Sequence, residues 1–234
     1  AAGGAFEAWL GLGQVRARLG QDPGAADALA QAVALRLDHA EAQRTLGEVL
    51  ARLGRHAEAA AALEIATRLR TDDGVAWATL GRAYQALGRD ADAARALARA
   101  SEIGEGGPDT LLALADAYAR EGRVGEAAAA LAKARAAAPT DAELQATVAQ
   151  RLVALSRMDD AIAAQRASVE FAPSTRRKLE LGAMLLAAGD LAGAEAVYAD
   201  AAREAPRDFD AQRGLGKVYA AAGKHAYAAR AFGT

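Results

Sequence analysis

The chain has 234 residues, with 28 Lys and Arg against 30 Asp and Glu, a net charge of −2, and no cysteine. Interspersed charges of both signs argue against an electrostatic grip on nucleic acid, which needs a basic face, and the few aromatic residues fall mostly at core positions, against a base-stacking platform. The missing thiols exclude disulfides, thiol catalysis and cysteine-ligated metals, and no apolar run reaches transmembrane length.

Along the chain, glycine recurs at a fixed interval. Gly20, Gly54, Gly88 and Gly122 stand 34 residues apart; Gly189 follows two intervals minus one residue later, with Ser156 between, and Gly223 restores the step. A period of this length marks a solenoid of stacked helix pairs rather than one globular core. Two further markers travel in phase. Leu-Gly stands at Leu12-Gly13, Leu46-Gly47, Leu80-Gly81, Leu181-Gly182 and Leu215-Gly216, with softer versions at Leu114-Ala115 and Val148-Ala149. Alanine followed four residues later by a large side chain stands at Ala25/Leu29, Ala59/Leu63, Ala93/Leu97, Ala127/Leu131, Ala194/Tyr198 and Ala228/Phe232. Pro139, Pro173 and Pro206 close the later units.

Taken in order, residues 1–5 read as a linker or the tail of a preceding repeat, and the units fall at 6–39, 40–73, 74–107, 108–141, 142–174, 175–208 and an incomplete 209–234. In the first unit Arg16 takes the place of an aromatic residue or leucine, a position where an arginine can snorkel. The third unit is the clearest. Trp77, Leu80, Tyr84 and Leu87 form one helical stripe, and Ala93, Leu97 and Ala100 form a second. Gly88 sits between them, where a residue without Cβ tolerates positive φ after a helix. Alanine dominates and is the best helix former; no stretch alternates with period two, so no strands are expected. The fifth unit departs most, with Ser156, Gln165 and Ser168 at marker positions and one residue deleted. A tolerated looser unit, a bend in the superhelix, or a place where a partner supplies the missing packing fits that pattern.

The string Trp77-Ala-Thr-Leu80-Gly81-Arg-Ala-Tyr84, with the later Ala, large residue and Pro, resembles the tetratricopeptide repeat. The resemblance covers nearly the whole chain. It implies an all-α, right-handed superhelical solenoid of about seven antiparallel helix pairs, whose first helices line a concave binding face for a peptide or protein segment. That face would carry Glu7, Leu10 and Gln14, then Glu41, Arg44, Glu48 and Arg52, then Val75, Ala78, Arg82 and Gln85. It continues through Asp109, Leu112, Asp116 and Arg120, then Glu143, Ala146 and Gln150, and ends with Arg176, Leu179, Ala183, Asp210, Arg213 and Lys217. Its middle, with Ala146, Val153, Leu179, Ala183 and Leu186, reads as more apolar. Arg176-Arg177-Lys178 place three cations at a helix start, against the macrodipole, and point to an acidic partner segment near that end; ordinary solvation is the competing reading. One subset of the family clamps the C-terminal carboxylate of chaperones with lysines, an arginine and paired asparagines. This chain contains no asparagine, so that function is not carried over.

Nothing reads as catalytic, cofactor-binding or metal-binding. His39 and His56 fall at opposite ends of a helix of about 20 Å, and His225 is far along the chain. Asp72-Asp73 and Asp159-Asp160 fall near turns, where Asp caps helix starts. No Gly-Lys-Ser/Thr follows any glycine-rich turn. The expectation is a non-enzymatic interaction scaffold or adaptor within a larger bacterial complex, in cytoplasm or periplasm. The partner is another protein or peptide, with no nucleic acid and no membrane span. Two alternatives accompany it: a non-catalytic targeting arm of a longer enzyme, and a homo-oligomer stacking through ends that lack the polar caps solenoids need.

Overall fold

The computed structural model describes residues 2–104 and 106–233. Ala1, the first residue of the expected tail, Glu105 in the third unit, and Thr234, the last of the incomplete seventh, lie outside the described residues. Among those described, every regular element is a helix. The helices run in pairs: α1 (Ala2–Arg18) with α2 (Asp22–Leu35), α3 (Ala40–Arg52) with α4 (His56–Leu69), and α5 (Gly74–Ala86) with α6 (Asp90–Ile103), followed by α7 (Pro108–Arg120) and α8 (Val124–Ala137). Then follow α9 (Ala142–Ala154) with α10 (Met158–Phe171), α11 (Thr175–Ala187) with α12 (Leu191–Glu204), and α13 (Phe209–Ala221) with α14 (His225–Phe232). Ala2–Ala5 are thus part of α1.

The chain divides within α8 into two compact units, residues 1–130 and 131–234. In the first, α1 packs on α2, α3 on α4 and α5 on α6; each second helix also packs on the next first helix, and α1, α3, α5 and α7 touch in succession. In the second, α9 packs on α10, α11 on α12 and α13 on α14, α10 and α12 also pack on the following first helices, and α11 touches α13. Short turns between packed neighbours make consecutive helices antiparallel.

Local chemistry explains where each helix begins and ends. The first helices α3, α5, α9, α11 and α13 start with a side chain that accepts a hydrogen bond from an otherwise unpaired amide of the first turn, whereas α7 starts on Gly107 and Pro108 without one. Asp73 accepts from the Ala76 amide, Asp141 from Glu143 and Leu144, Ser174 from Arg177 and Asp208 from Ala211. His39 does the same through Nδ1 toward the Ala42 amide. The periodic glycines stop the first helices. Gly88 adopts φ 71°, and the Arg89 amide reaches back to the Tyr84 carbonyl at 2.9 Å, closing a Schellman turn. Ser156 takes the same left-handed conformation, φ 58°, without being glycine, and the Arg157 amide still bonds the Leu152 carbonyl at 2.9 Å. The deleted residue and the missing glycine therefore leave the turn itself intact.

The Leu-Gly marker has a packing reason. A Cβ on Gly81 would stand 2.5 Å from Cγ of Leu97, and one on Gly47 the same distance from Cγ of Leu63. Gly182 meets the Tyr198 ring in the same way at 2.8 Å. Glycine on the first helix thus makes room for the large residue of the second. Leu63 and Leu97 are fully buried, each stabilising the fold by about 1.5–3 kcal/mol. Two residues of the expected Trp77–Leu87 stripe are less buried: Trp77 is half-buried, its Nε1 donating to the Thr71 carbonyl at 3.1 Å, and Leu87 at the helix end is exposed.

The fifth helix pair replaces apolar packing with polar packing. Gln165 is fully buried and donates from Nε2 to the Arg177 carbonyl at 3.1 Å and to Glu180 at 3.0 Å. Ser168, also fully buried, donates to the Ala142 carbonyl at 2.7 Å. Gln145 is bound by Arg135 Nε at 2.7 Å and donates to the Pro139 carbonyl at 3.1 Å. Buried polar groups are tolerated when partnered in this way. The departures from the repeat are thus largely met by hydrogen bonds within the second unit, the Gln165 Oε1 alone among these side chains staying buried without a partner among the described residues. At the first pair, Arg16 is half-buried and its Nη1 donates to the Gly24 carbonyl at 3.1 Å, so its guanidinium stays inside the pair.

Candidate functional site: the first-helix faces

Successive first helices leave shallow clefts between them. In the first unit, Gln14, Arg18, Glu41, Arg44, Glu48 and Arg52 line a cleft between α1 and α3. Glu48, Ala51, Arg52, His56, Thr79, Arg82 and Ala83 line the next, of about 450 Å³, between α3 and α5. Val75, Ala78, Thr79, Arg82, Pro108 and Asp109 line a third, between α5 and α7. In the second unit, a cleft between α9 and α11 is lined by Glu143, Ala146, Thr147, Gln150, Arg176, Arg177 and Glu180.

Most charges on these walls are already paired within the chain. Arg44 Nη1 donates to Glu48 at 2.8 Å, and its Nε lies 3.3 Å from Asp73 without hydrogen-bond alignment. Arg52 makes a two-pronged contact with Asp22, its Nη2 at 2.7 Å and its Nε at 3.0 Å, and this hydrogen bonding holds the Asp22 carboxyl below its ordinary pKa. Gln14 donates to Glu41 at 2.8 Å. In the second unit Arg176 pairs with Glu180 at 3.0 Å and Arg177 with Glu143 at 2.9 Å.

The expected site residues separate into groups. Glu41, Arg44 and Glu48 share one cleft, Glu48 and Arg82 the next, and Gln150 and Arg176 share the cleft of the second unit. Gln85 and Arg120 are tied within the first unit: Gln85 donates to the Ala113 carbonyl at 2.7 Å, and Arg120 Nε lies 2.7 Å from Asp90. Asp116 is half-buried on α7. Leu179 packs against the apolar core of the second unit. Arg213 is exposed, pairs with Asp210 at 2.8 Å and lies over the Phe209 ring at 5.7 Å. Lys217 is exposed on α13. Leu10, Ala78 and Ala146, expected on the open face, are buried.

The three cations at the start of α11 differ most from their sequence reading. Lys178 is buried, 6 % exposed, and forms ion pairs with Asp200 and, at 2.6 Å, with Glu204 on α12. Hydrogen bonding to these carboxylates raises its pKa and lowers that of Asp200. With Arg176 and Arg177 also paired, the local charge that seemed to ask for an outside acid is neutralised by the chain itself.

Residues not singled out as binding residues also line the clefts: Arg18, His56 and Thr79. Thr79 lies one turn before Arg82 and Arg18 one turn after Gln14, so helical spacing carried a signal for both. His56 opens α4, and only the packing of α4 beside α5 brings it to the α3/α5 cleft. Among the described residues, no group of His, Asp and Glu is placed to hold a metal ion, and no helix is long and apolar enough to cross a membrane.

The repeating pairs, glycine-stopped turns and successive first-helix faces define an all-α helical-repeat solenoid. The family model for the tetratricopeptide repeat matches residues 10–74, 78–142 and 179–233. The chain belongs to the tetratricopeptide repeat family. No curated protein matches it by sequence. Solved structures similar to it include MamA, at 20% identity with a TM-score of 0.66, covering 72% of this chain and 92% of that one. YrrB, a TPR protein with an unusual peptide-binding site, aligns at 18% identity with a TM-score of 0.62 over 80% of this chain and 96% of that one. PilF of Pseudomonas aeruginosa aligns at 16% identity with a TM-score of 0.59 over 91% and 97%. At these identities the likeness is one of fold.

Proposed function

We propose that this chain is a non-catalytic interaction module that binds a peptide or a segment of a partner protein along its first-helix faces, as an adaptor or assembly subunit of a larger bacterial complex. The observation that carries this reading is the run of three consecutive clefts in the first unit, each bounded by neighbouring first helices and lined by small and polar side chains. An extended segment laid across successive helices would meet one cleft after another. YrrB, similar in fold, is described as having a peptide-binding site, which supports peptide binding by this chain.

The test compares capture from a bacterial lysate by the native chain and by a Glu41→Lys/Arg82→Glu/Gln150→Lys variant, with thermal melts to show that the variant is folded. A partner retained by the native chain and lost by the folded variant supports binding through these faces. Capture that persists unchanged moves the site elsewhere on the chain.

A further inference from the structure

Arg82 stands apart from the other charges of the first unit's clefts. It is exposed on α5 and, among the described residues, makes no hydrogen bond or ion pair. Arg44 and Arg52, on the same walls, are committed to Glu48 and Asp22. Among the described residues Arg18 is also unpaired, but its α1/α3 cleft contains Glu41, which makes no ion pair there; Arg82 likewise shares the α5/α7 cleft with Asp109, so the contrast concerns the α3/α5 cleft alone. The α3/α5 cleft differs: its only acid is Glu48, already bound by Arg44, so Arg82 faces no uncommitted carboxylate there. His56, on the wall of the same cleft, keeps a buried Nδ1 with no partner.

Resting on the proposed binding of a peptide segment, we propose that the α3/α5 cleft is an acidic-residue subsite, in which Arg82 receives the side-chain carboxylate of an Asp or Glu within an extended partner segment. Charge complementarity selects this occupant: two arginines and one glutamate line the cleft, and the guanidinium left over is Arg82. A guanidinium fork matches a carboxylate with two parallel N–H···O bonds. The carboxylate belongs to a residue inside the segment rather than to a chain terminus, because Arg82 also lines the α5/α7 cleft. A segment lying over Arg82 continues past it into that second cleft, where Val75, Ala78 and Pro108 offer small apolar contacts beside the carboxylate of Asp109. Ala51 and Ala83 do the same on the α3/α5 side.

The experiment uses the whole chain and a fluorescent library of nine-residue peptides. The central position is fixed in turn as Asp, Glu, Asn, Gln or Lys, the flanks are randomised among Ala, Val, Ser, Gly and Pro, and each set is made with a free or an amidated C-terminus. Retained sets with central Asp or Glu, about tenfold tighter than Asn or Gln, indifferent to amidation and reversed toward Lys by Arg82→Glu, are the expected result. The preference should also weaken as salt rises. Binding without acidic preference, or a preference untouched by Arg82→Gln in a variant that melts like the native chain, overturns the subsite while leaving peptide binding standing. Loss on amidation assigns the carboxylate to a terminus and overturns the internal-residue reading. No retention of any set overturns both the subsite and peptide binding.

Discussion

The phenol of Tyr84 on α5 donates its hydrogen to Glu64 Oε1 on α4, 2.7 Å away, and so stitches the second helix of one pair to the first helix of the next. Burial and the Glu64 carboxylate push the Tyr84 pKa up from 10.0 to about 12, and the Arg89 guanidinium lies over the ring at 4.3 Å. The neutral phenol is the form the fold favours. Its contribution is therefore complete below pH 10.0 and is lost as pH rises through about 12. Subtracting the ultraviolet titration of Tyr84→Phe from that of the native chain should leave one tyrosine titrating near 12. The variant should lose about 0.5–1.5 kcal/mol in urea unfolding at neutral pH. A difference curve centred at the ordinary tyrosine value would contradict the buried contact.

Gly81→Ala introduces a Cβ 2.5 Å from Leu97 Cγ and 3.2 Å from its backbone nitrogen. Alanine's better helix propensity returns up to ~1 kcal/mol, whereas overpacking costs about 1–3 kcal/mol. A net loss of about 1–2 kcal/mol is expected by denaturant unfolding. Because Leu97 is the residue met, Gly81→Ala should cost less in a Leu97→Ala background. An additive double-mutant cycle would place the strain elsewhere.

Ser156→Gly should stabilise the second unit. Ser156 holds φ 58°, a conformation that costs an L-residue roughly 1–2 kcal/mol and glycine nothing. Part of that gain is cancelled by the greater freedom of glycine in the unfolded chain. The net is about 0.5–1 kcal/mol, read as a higher urea midpoint with an unchanged slope.

Lys178→Met keeps the side chain's bulk but breaks the pairs with Asp200 and Glu204. Lys178 has a raised pKa, so its contribution is present below its ordinary 10.5 and is lost as pH rises past the raised value. Asp200 has a lowered pKa, so its contribution is present above its ordinary 3.8 and is lost as pH falls past the lowered value. Between those limits the variant should melt about 2–4 °C below the native chain. The gap should close in acid and in strong alkali. A gap independent of pH would mean that the loss comes from packing alone.

Much of the fold was legible because periodicity is a local property. The glycine positions marked the turns that close at Gly88 and its equivalents, and the pairing of Leu-Gly with a later large residue anticipated the contact of Gly81 with Leu97. Less of the candidate site was legible. The outward stripe of the first helices was traced to within a turn, so Glu41, Glu48, Arg82, Gln150 and Arg176 do reach clefts. Leu10 and Ala78 were misplaced because neighbouring pairs cover part of that stripe.

From sequence alone came the repeat, the helices, their stops and the residues that fill the pairs, since each depends on spacings of three, four and 34 residues. Only the tertiary structure decided which charges are spent and which remain. Lys178 finds Asp200 and Glu204 on the next helix, Arg52 finds Asp22 on an earlier one, and Arg177 finds Glu143 one repeat back. Arg82, with no ion pair among the described residues, is left open between Glu48 of one cleft and Asp109 of the next. Whether a side chain reaches an opposite charge depends on distances between helices, and the order of residues along one helix does not contain them.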